Sequence, residues 1–355
     1  MRVLTVVGAR PQFVKAAAVS HALRRVADER LLHTGQHTDA ALADAFAAEA
    51  GMPAPDLRLT VPATPFGARL AAMHRGIVAD LGTTRADAVL VYGDTDSTLA
   101  GALAARSARV PLVHVEAGMR SDERALPEEQ NRVVADHLAA LLLCSSDAAA
   151  ARLRAEHVAG DVRVVGDVML DACLRLRERP ADAALLARQG VERGAYAVAT
   201  VHRAENTDDA PRLAALVAAL DALDLPVVLP CHPRLRAALV RGGVPAPSGR
   251  LRLTEPLPHA AMLELVRAAR IVLTDSGGLQ KEAWYLGVPC ATLRARTEWP
   301  ETLEGGWNVL VDADPARLRA AVAAARSERA ARDLGRHGGG HAAERVAEAI
   351  AALRP

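Results

Sequence analysis

Lysine is almost missing from this chain. Of its 43 basic residues, only Lys15 and Lys281 are lysines. In an arginine-rich sequence drift replaces a casual surface lysine, so the two survivors are candidates for chemistry. Cysteine is scarce as well. Cys144, Cys173, Cys231 and Cys290 stand far apart and form no CxxC pair, which excludes a disulfide framework and a structural zinc site. There is no run of about 18 apolar residues, so no ordinary transmembrane helix is expected. The N-terminus enters Arg2-Val3-Leu4-Thr5-Val6-Val7 directly and reads as a strand, not a signal peptide; a cytoplasmic, reduced protein is expected. Net charge is lacking too. At +1, no overall field recruits nucleic acid or a membrane surface. Metal-ligand spacing is absent, since His337 and His341 on a glycine-rich loop are poor ligands; no metal is expected. The three tryptophans, Trp284, Trp299 and Trp307, share one C-terminal stretch, where core packing accounts for any of them.

What is present is an ordinary globular composition, 51% hydrophobic and 24% charged, over 355 residues. That length suits two α/β domains better than one. Short apolar runs alternate with Ala/Leu/Arg segments of helical period, the signature of βαβ units. One series of strands is expected at Val3–Val7, Arg30–His33, Ala88–Tyr92, Leu112–Val115, Leu141–Cys144 and Val162–Val165. A second is expected at Ala197–Val201, Val227–Leu229, Leu251–Leu253, Ile271–Thr274, Cys290–Leu293 and Val309–Val311. A helical, Arg-rich stretch, Asp171–Arg193, separates them and is the expected hinge. The reading is an α/β protein of two Rossmann-like domains, 1–170 and 171–340, with parallel sheets facing a central cleft. Gly335–His341 reads as a flexible break. The amphipathic helix within 341–355 is expected to pack back on the first domain.

Ligands of parallel sheets bind beyond the carboxyl ends of strands, and the informative residues follow strands. Asp275-Ser276-Gly277-Gly278 opens a helix whose free amides and dipole favour an anion, although Asp275 or Ser276 also serves as an ordinary N-cap. Glu282 lies one turn on, placed to accept from two ribose hydroxyls. Together they suggest a nucleotide diphosphate. Gly8–Lys15 is a strand-to-helix turn whose Arg10 and Lys15 can steady phosphate charge, or simply face solvent. Asp94, Glu116 and Glu128, the last in Pro127-Glu128-Glu129, are three acids at strand ends or helix starts, where each is also a routine cap. His202-Arg203 follows another strand. His202 suits a phosphate contact, acid/base work or a structural place; His232 reads as scaffold.

These motifs, in this order and nearly end to end, resemble the non-hydrolysing UDP-N-acetylglucosamine 2-epimerases. The likeness takes in Gly8–Lys15, Thr34–His37, Gly93–Thr95, His114–Arg120, Pro127–Arg132, Val201–Asn206, Thr274–Ala283 and Thr297–Glu301. It implies a GT-B fold, a UDP-sugar substrate, no cofactor, and a homodimer serving polysaccharide or amino-sugar biosynthesis. It implies catalytic roles for Asp94, Glu116, Glu128 and His202, and substrate or UDP contacts for Arg10, Lys15, Arg132, Arg203, Ser276, Gly277, Gly278 and Glu282. The implied reaction eliminates UDP, forms a glycal and adds UDP back with the C2 proton on the opposite face. This chain departs from the family pattern at Gln12, where many members carry an acid, and at Trp299, where many carry arginine. His259-Ala260 replaces a Tyr-Leu pair, and Asp39 replaces a glutamine of the allosteric substrate site. Several motifs look more like the sub-branch that includes epimerases of UDP-2,3-diacetamido-2,3-dideoxy-glucuronate. A hydrolysing epimerase and a GT-B glycosyltransferase would share much of the same UDP-binding pattern.

Overall fold

Unbroken apolar runs make strands that are buried on both faces, as parallel sheets require. The structure, a computed structural model, describes residues 1–36, 51–61, 65–121, 124–178, 180, 182–325 and 331–353. His37 and Asp39 lie outside the described residues. Seven strands form one parallel sheet: β1 (Arg2–Val7), β2 (Asp28–His33), β3 (Leu57–Arg58), β4 (Ala88–Tyr92), β5 (Leu112–Ala117), β6 (Leu141–Cys144) and β7 (Asp161–Val164), in the order β3-β2-β1-β4-β5-β6-β7. Six more form a second parallel sheet: β8 (Ala197–Thr200), β9 (Val227–Pro230), β10 (Leu251–Thr254), β11 (Ile271–Thr274), β12 (Cys290–Thr292) and β13 (Asn308–Leu310), in the order β10-β9-β8-β11-β12-β13. The strands expected from the sequence end within two residues of those observed. The addition is β3, whose two residues are too short to show a period.

The chain divides into two compact units, Met1–Ala172 with Leu334–Pro355, and Cys173–Asp333. The helix Val168–Glu178 runs across the division. In the first unit, alternate residues of each strand serve opposite faces. Val3, Leu31, Leu90 and Val113 pack with the helices Arg10–Leu23 and Ala342–Ala351, while Leu4, Leu32, Val89 and Leu112 pack with Phe66–Thr84 and Asp96–Ala108. In the second unit, Ala197, Val227, Ile271 and Ala291 build a core with the helices Ala210–Asp221 and Pro315–Ala324. Among the described residues no helix is long and apolar enough to cross a membrane.

One expectation is corrected. Gly335–His341 is not a loose break ending the second domain. Leu334–His337 forms a 3-10 turn grouped with the first unit; His337 is buried and its carbonyl accepts from the Asp167 amide at 2.9 Å. One of the glycines that suggested flexibility instead allows close contact, Gly338 lying against Gly166 with φ +91.

The helix Ala342–Ala351 starts with His341, which makes no side-chain cap bond. Asp171 caps it from a distant part of the chain, accepting from the amides of Ala342 at 3.2 Å and Ala343 at 2.9 Å. Asp171→Ala leaves two buried donors unmatched, and we expect a loss of about 1–2 kcal/mol in urea unfolding. A loss within a few tenths of a kcal/mol would mean that water replaces the cap.

Candidate functional site

Both sheets reverse strand order once, at β1/β4 and at β8/β11, and the chemistry-bearing turns leave those strands. In the first unit, Gln12 locks the turn after β1. It is buried, its Oε1 accepts from the amides of Gly8 and Ala9 at 2.9 and 3.1 Å, and its Nε2 donates to the Tyr92 carbonyl at 2.9 Å and to Thr98 Oγ1 at 3.1 Å. The turn after β4 carries Asp94, and the end of β5 carries Glu116. Lys15 Nζ bonds Glu116, and Arg132 bonds Asp94 while reaching Glu129 at 2.6 Å. Burial opposes the charge on Arg132, but its two carboxylate partners outweigh that and raise its pKa further. Gly93, which precedes Asp94 in the chain, has φ +61 and lies against the other pair; a Cβ there would lie 3.3 Å from Glu116 Oε2 and 3.5 Å from Lys15 Nζ. Glu116 itself has φ +67, at the bulge where the β5–β6 register shifts. Thus Lys15, Asp94, Glu116 and Arg132 come together. Glu128 is exposed on the first turn of Pro127–Leu138, while its neighbour Glu129 turns inward. The Arg10 side chain lies outside what is described.

In the second unit, Asp275 follows β11 and is wholly buried. It accepts from the amides of His202 and Arg203 at 3.0 Å and from Asn206 Nδ2 at 3.0 Å, and His202 Nδ1 stands 3.3 Å away. Burial holds the His202 imidazole below its usual pKa; Asp275 opposes this, but Arg203, His232 and Arg234 add to it. Ser276 is the N-cap of the helix Gly277–Leu286, accepting from Leu279 N at 3.4 Å. The amides of Gly277 and Gly278 are first-turn donors that no intrahelical carbonyl reaches. A Cβ on Gly277 would stand 3.4 Å from the Trp299 indole nitrogen and 3.8 Å from Arg203 Nη2, so His202, Arg203, Ser276 and the two glycines form one polar cluster. Glu282 lies one turn along and receives a 2.8 Å bond from His259 Nε2. His232 is scaffold, its Nδ1 capping Arg234 N at 3.2 Å. Among the described residues no group of three or more His, Cys, Asp or Glu side chains is set to hold a metal ion.

The profile of the family described as UDP-N-acetylglucosamine 2-epimerase matches residues 21–351. The chain belongs to this family. It is 40% identical over 361 residues, covering 99% of itself and 100% of its relative, to the UDP-2,3-diacetamido-2,3-dideoxy-D-glucuronate 2-epimerase of Pseudomonas aeruginosa. It is 33% identical to the UDP-N-acetylglucosamine 2-epimerase of Methanocaldococcus jannaschii, covering 91% of each chain. It matches the crystal structure of a UDP-GlcNAc 2-epimerase from that organism, in complex with UDP-GlcNAc and UDP, with a TM-score of 0.83 at 31% identity over 99% of both chains. The α/β fold with two parallel sheets is the GT-B fold of these enzymes.

Two departures from the family pattern make specific contacts. At position 12 the glutamine donates to the Tyr92 carbonyl, which also accepts from Thr98 Oγ1, and a carboxylate could not make that bond. Trp299 lies over Lys281, with Nζ 4.0 Å from the ring centroid. Of the two lysines, therefore, Lys15 joins the acids and Lys281 packs in a buried place. Sequence reading missed Gln12 as a lock and the inward face of Glu129. It also missed the buried pair His114–Asp136, for which a histidine inside an apolar strand was the available signal.

The His259–Glu282 pair has a pH signature. Burial disfavours charge on His259, yet Glu282 prevails and raises its pKa above the ordinary 6.5. The stability contributed by the charged ring is complete below 6.5 and is lost as pH rises through the raised value. Glu282→Gln should therefore cost more stability in urea unfolding at about pH 6 than at about pH 8.5. Equal costs would show that the pair is not ionic.

Proposed function

We propose that the protein inverts C2 of a UDP-N-acetylhexosamine, converting UDP-N-acetylglucosamine to UDP-N-acetylmannosamine. The observation that carries this reading is the pair of salt-bridged acids, Asp94 with Arg132 and Glu116 with Lys15, on adjacent strand ends in a member of this epimerase family. A C2 proton beside an acetamido group is barely acidic. When the C1–O bond to UDP breaks, UDP leaves with the electron pair, a base takes the C2 proton, and a C1–C2 double bond forms. UDP then attacks C1 again while a second acid protonates C2 on the opposite face. Asp94, Glu116 and Glu128 are the acid/base groups of this scheme. His202, held below its usual pKa, assists as a neutral ring. Arg10, Lys15, Arg132 and Arg203 steady the diphosphate and sugar, Ser276, Gly277 and Gly278 receive the diphosphate at the helix start, and Glu282 grips the ribose. Residues 1–172 with 334–355 act as the acid-bearing domain, and 173–333 as the UDP-holding domain. Family membership further supports a cytoplasmic homodimer that supplies amino sugars for polysaccharide synthesis.

A second reading has its own support. The 40% identity with the P. aeruginosa enzyme over 99% of this chain favours a 2,3-diacetamido-glucuronate as the sugar. A panel of UDP-sugars followed by proton NMR separates the two. Interconversion of UDP-N-acetylglucosamine and UDP-N-acetylmannosamine is the expected result; turnover of the diacetamido-uronate alone moves the assignment to that substrate.

Two further outcomes are expected. Product formed in D2O carries deuterium at C2, because the group that takes the proton on one face is not the one that delivers it on the other. Retained hydrogen would refute exchange with solvent. Asp94→Asn, Glu116→Gln and Glu128→Gln should each lower kcat by about a hundredfold or more. By contrast, Glu282→Ala should weaken UDP binding by calorimetry more than it slows saturated turnover, since the ribose does not react.

A further inference from the structure

His114 sits in the middle of β5, wholly buried among Leu112, Val113 and Val115. Its Nε2 lies 2.7 Å from the Gly93 carbonyl oxygen and its Nδ1 lies 2.7 Å from Asp136 Oδ1. A carbonyl oxygen and a carboxylate oxygen only accept, so both bonds form at once when each ring nitrogen carries a proton. Asp136 is wholly buried too. Its Oδ2 accepts from Arg120 Nη1 at 2.6 Å and from the Gly118 amide at 3.2 Å, and Arg120 is tied in turn to Glu156. The network therefore grips the backbone of both acid-bearing turns, at Gly93 beside Asp94 and at Gly118 two residues past Glu116. All three backbone positions are left-handed: Gly93 at φ +61, Glu116 at +67 and Gly118 at +79. The two glycines adopt this conformation freely, but Glu116 holds it only where its surroundings over-determine it.

We infer that His114, bridged to Asp136, is a positioning residue that sets the carboxylates of Asp94 and Glu116 relative to each other. It touches neither carboxylate; it acts through the main chain of two neighbouring strand ends. The arrangement of charge agrees. Burial alone would raise the Asp136 carboxyl, but the His114 and Arg120 partners outweigh it and hold the pKa below the usual carboxylate range. The inference rests on the reading of Asp94 and Glu116 as the acid/base groups.

The test uses the full-length enzyme. His114→Gln can donate from its amide to Gly93 or to Asp136 but not to both. Misplacing a reacting group by about an ångström costs on the order of a hundredfold in rate, so kcat should fall by about that factor while KM changes less than about threefold. Calorimetric UDP affinity should change less than about threefold, because most of the proposed UDP contacts, Arg203, Ser276, Gly277, Gly278 and Glu282, lie in the other unit. Asp136→Asn keeps the shape and removes the charge, and should show the same split at a smaller size. Nitrogen-15 NMR of the wild-type imidazoles, with His114 assigned by its loss in His114→Gln, should show both nitrogens protonated; this readout needs no variant to be active. Folded variants with kcat within about twofold of wild type, or a singly protonated His114 ring, would overturn the inference. Asp94→Asn and Glu116→Gln run in parallel: if they also keep full turnover, the acid/base reading has failed, whereas if they alone lose it, the positioning role has failed.

Discussion

A parallel sheet returns every strand to the same edge, and this constraint organises the molecule. Strands buried on both faces hold few polar side chains along their length, and those they hold need partners, so most polar chemistry lies at the carboxyl ends. In each sheet the strand order reverses once, and the connections diverge there to leave open space. The turns carrying Gln12, Asp94, His202 and Asp275 all leave the four strands that flank those reversals.

Charged groups inside such a fold raise a second difficulty, since several are largely out of water. The protein meets it with local saturation. Asp275 is surrounded by backbone and side-chain donors, Asp136 by histidine, arginine and an amide, and Glu29 by Thr5, Ser20 and Arg24. Each buried carboxylate thereby becomes a clamp that fixes the backbone around it. Asp94, Glu116 and His202 stay half-buried, while their buried neighbours hold the shape.

Much of this was legible in the sequence, and the reasons are physical. Buried parallel strands are unbroken apolar runs, so their positions are readable to within a residue or two. Turns that follow strands and hold glycine next to acids or serine are equally visible. What stayed hidden depends on distance or on helical phase. His114 and Asp136 are 22 residues apart and meet only because a helix folds back along β5. Glu128 and Glu129 are adjacent, and only the 100° step between successive helical residues decides which one faces inward. The glycines of 335–341 were read for their freedom, when tight contact with Gly166 was what required one of them, Gly338.

The helix Ala342–Ala351 belongs to the core of the first unit although the whole second unit precedes it in the chain. On the ribosome this sets an order of events. Residues 173–333 are contiguous and can close their core as soon as they emerge, whereas the first unit waits for Val346 and Ile350, which follow the whole second unit. At synthesis rates of about 5–20 residues per second, the apolar face of Arg10–Leu23 stays uncovered for roughly tens of seconds. During that interval the nascent first unit is the part of the protein most in need of protection by chaperones.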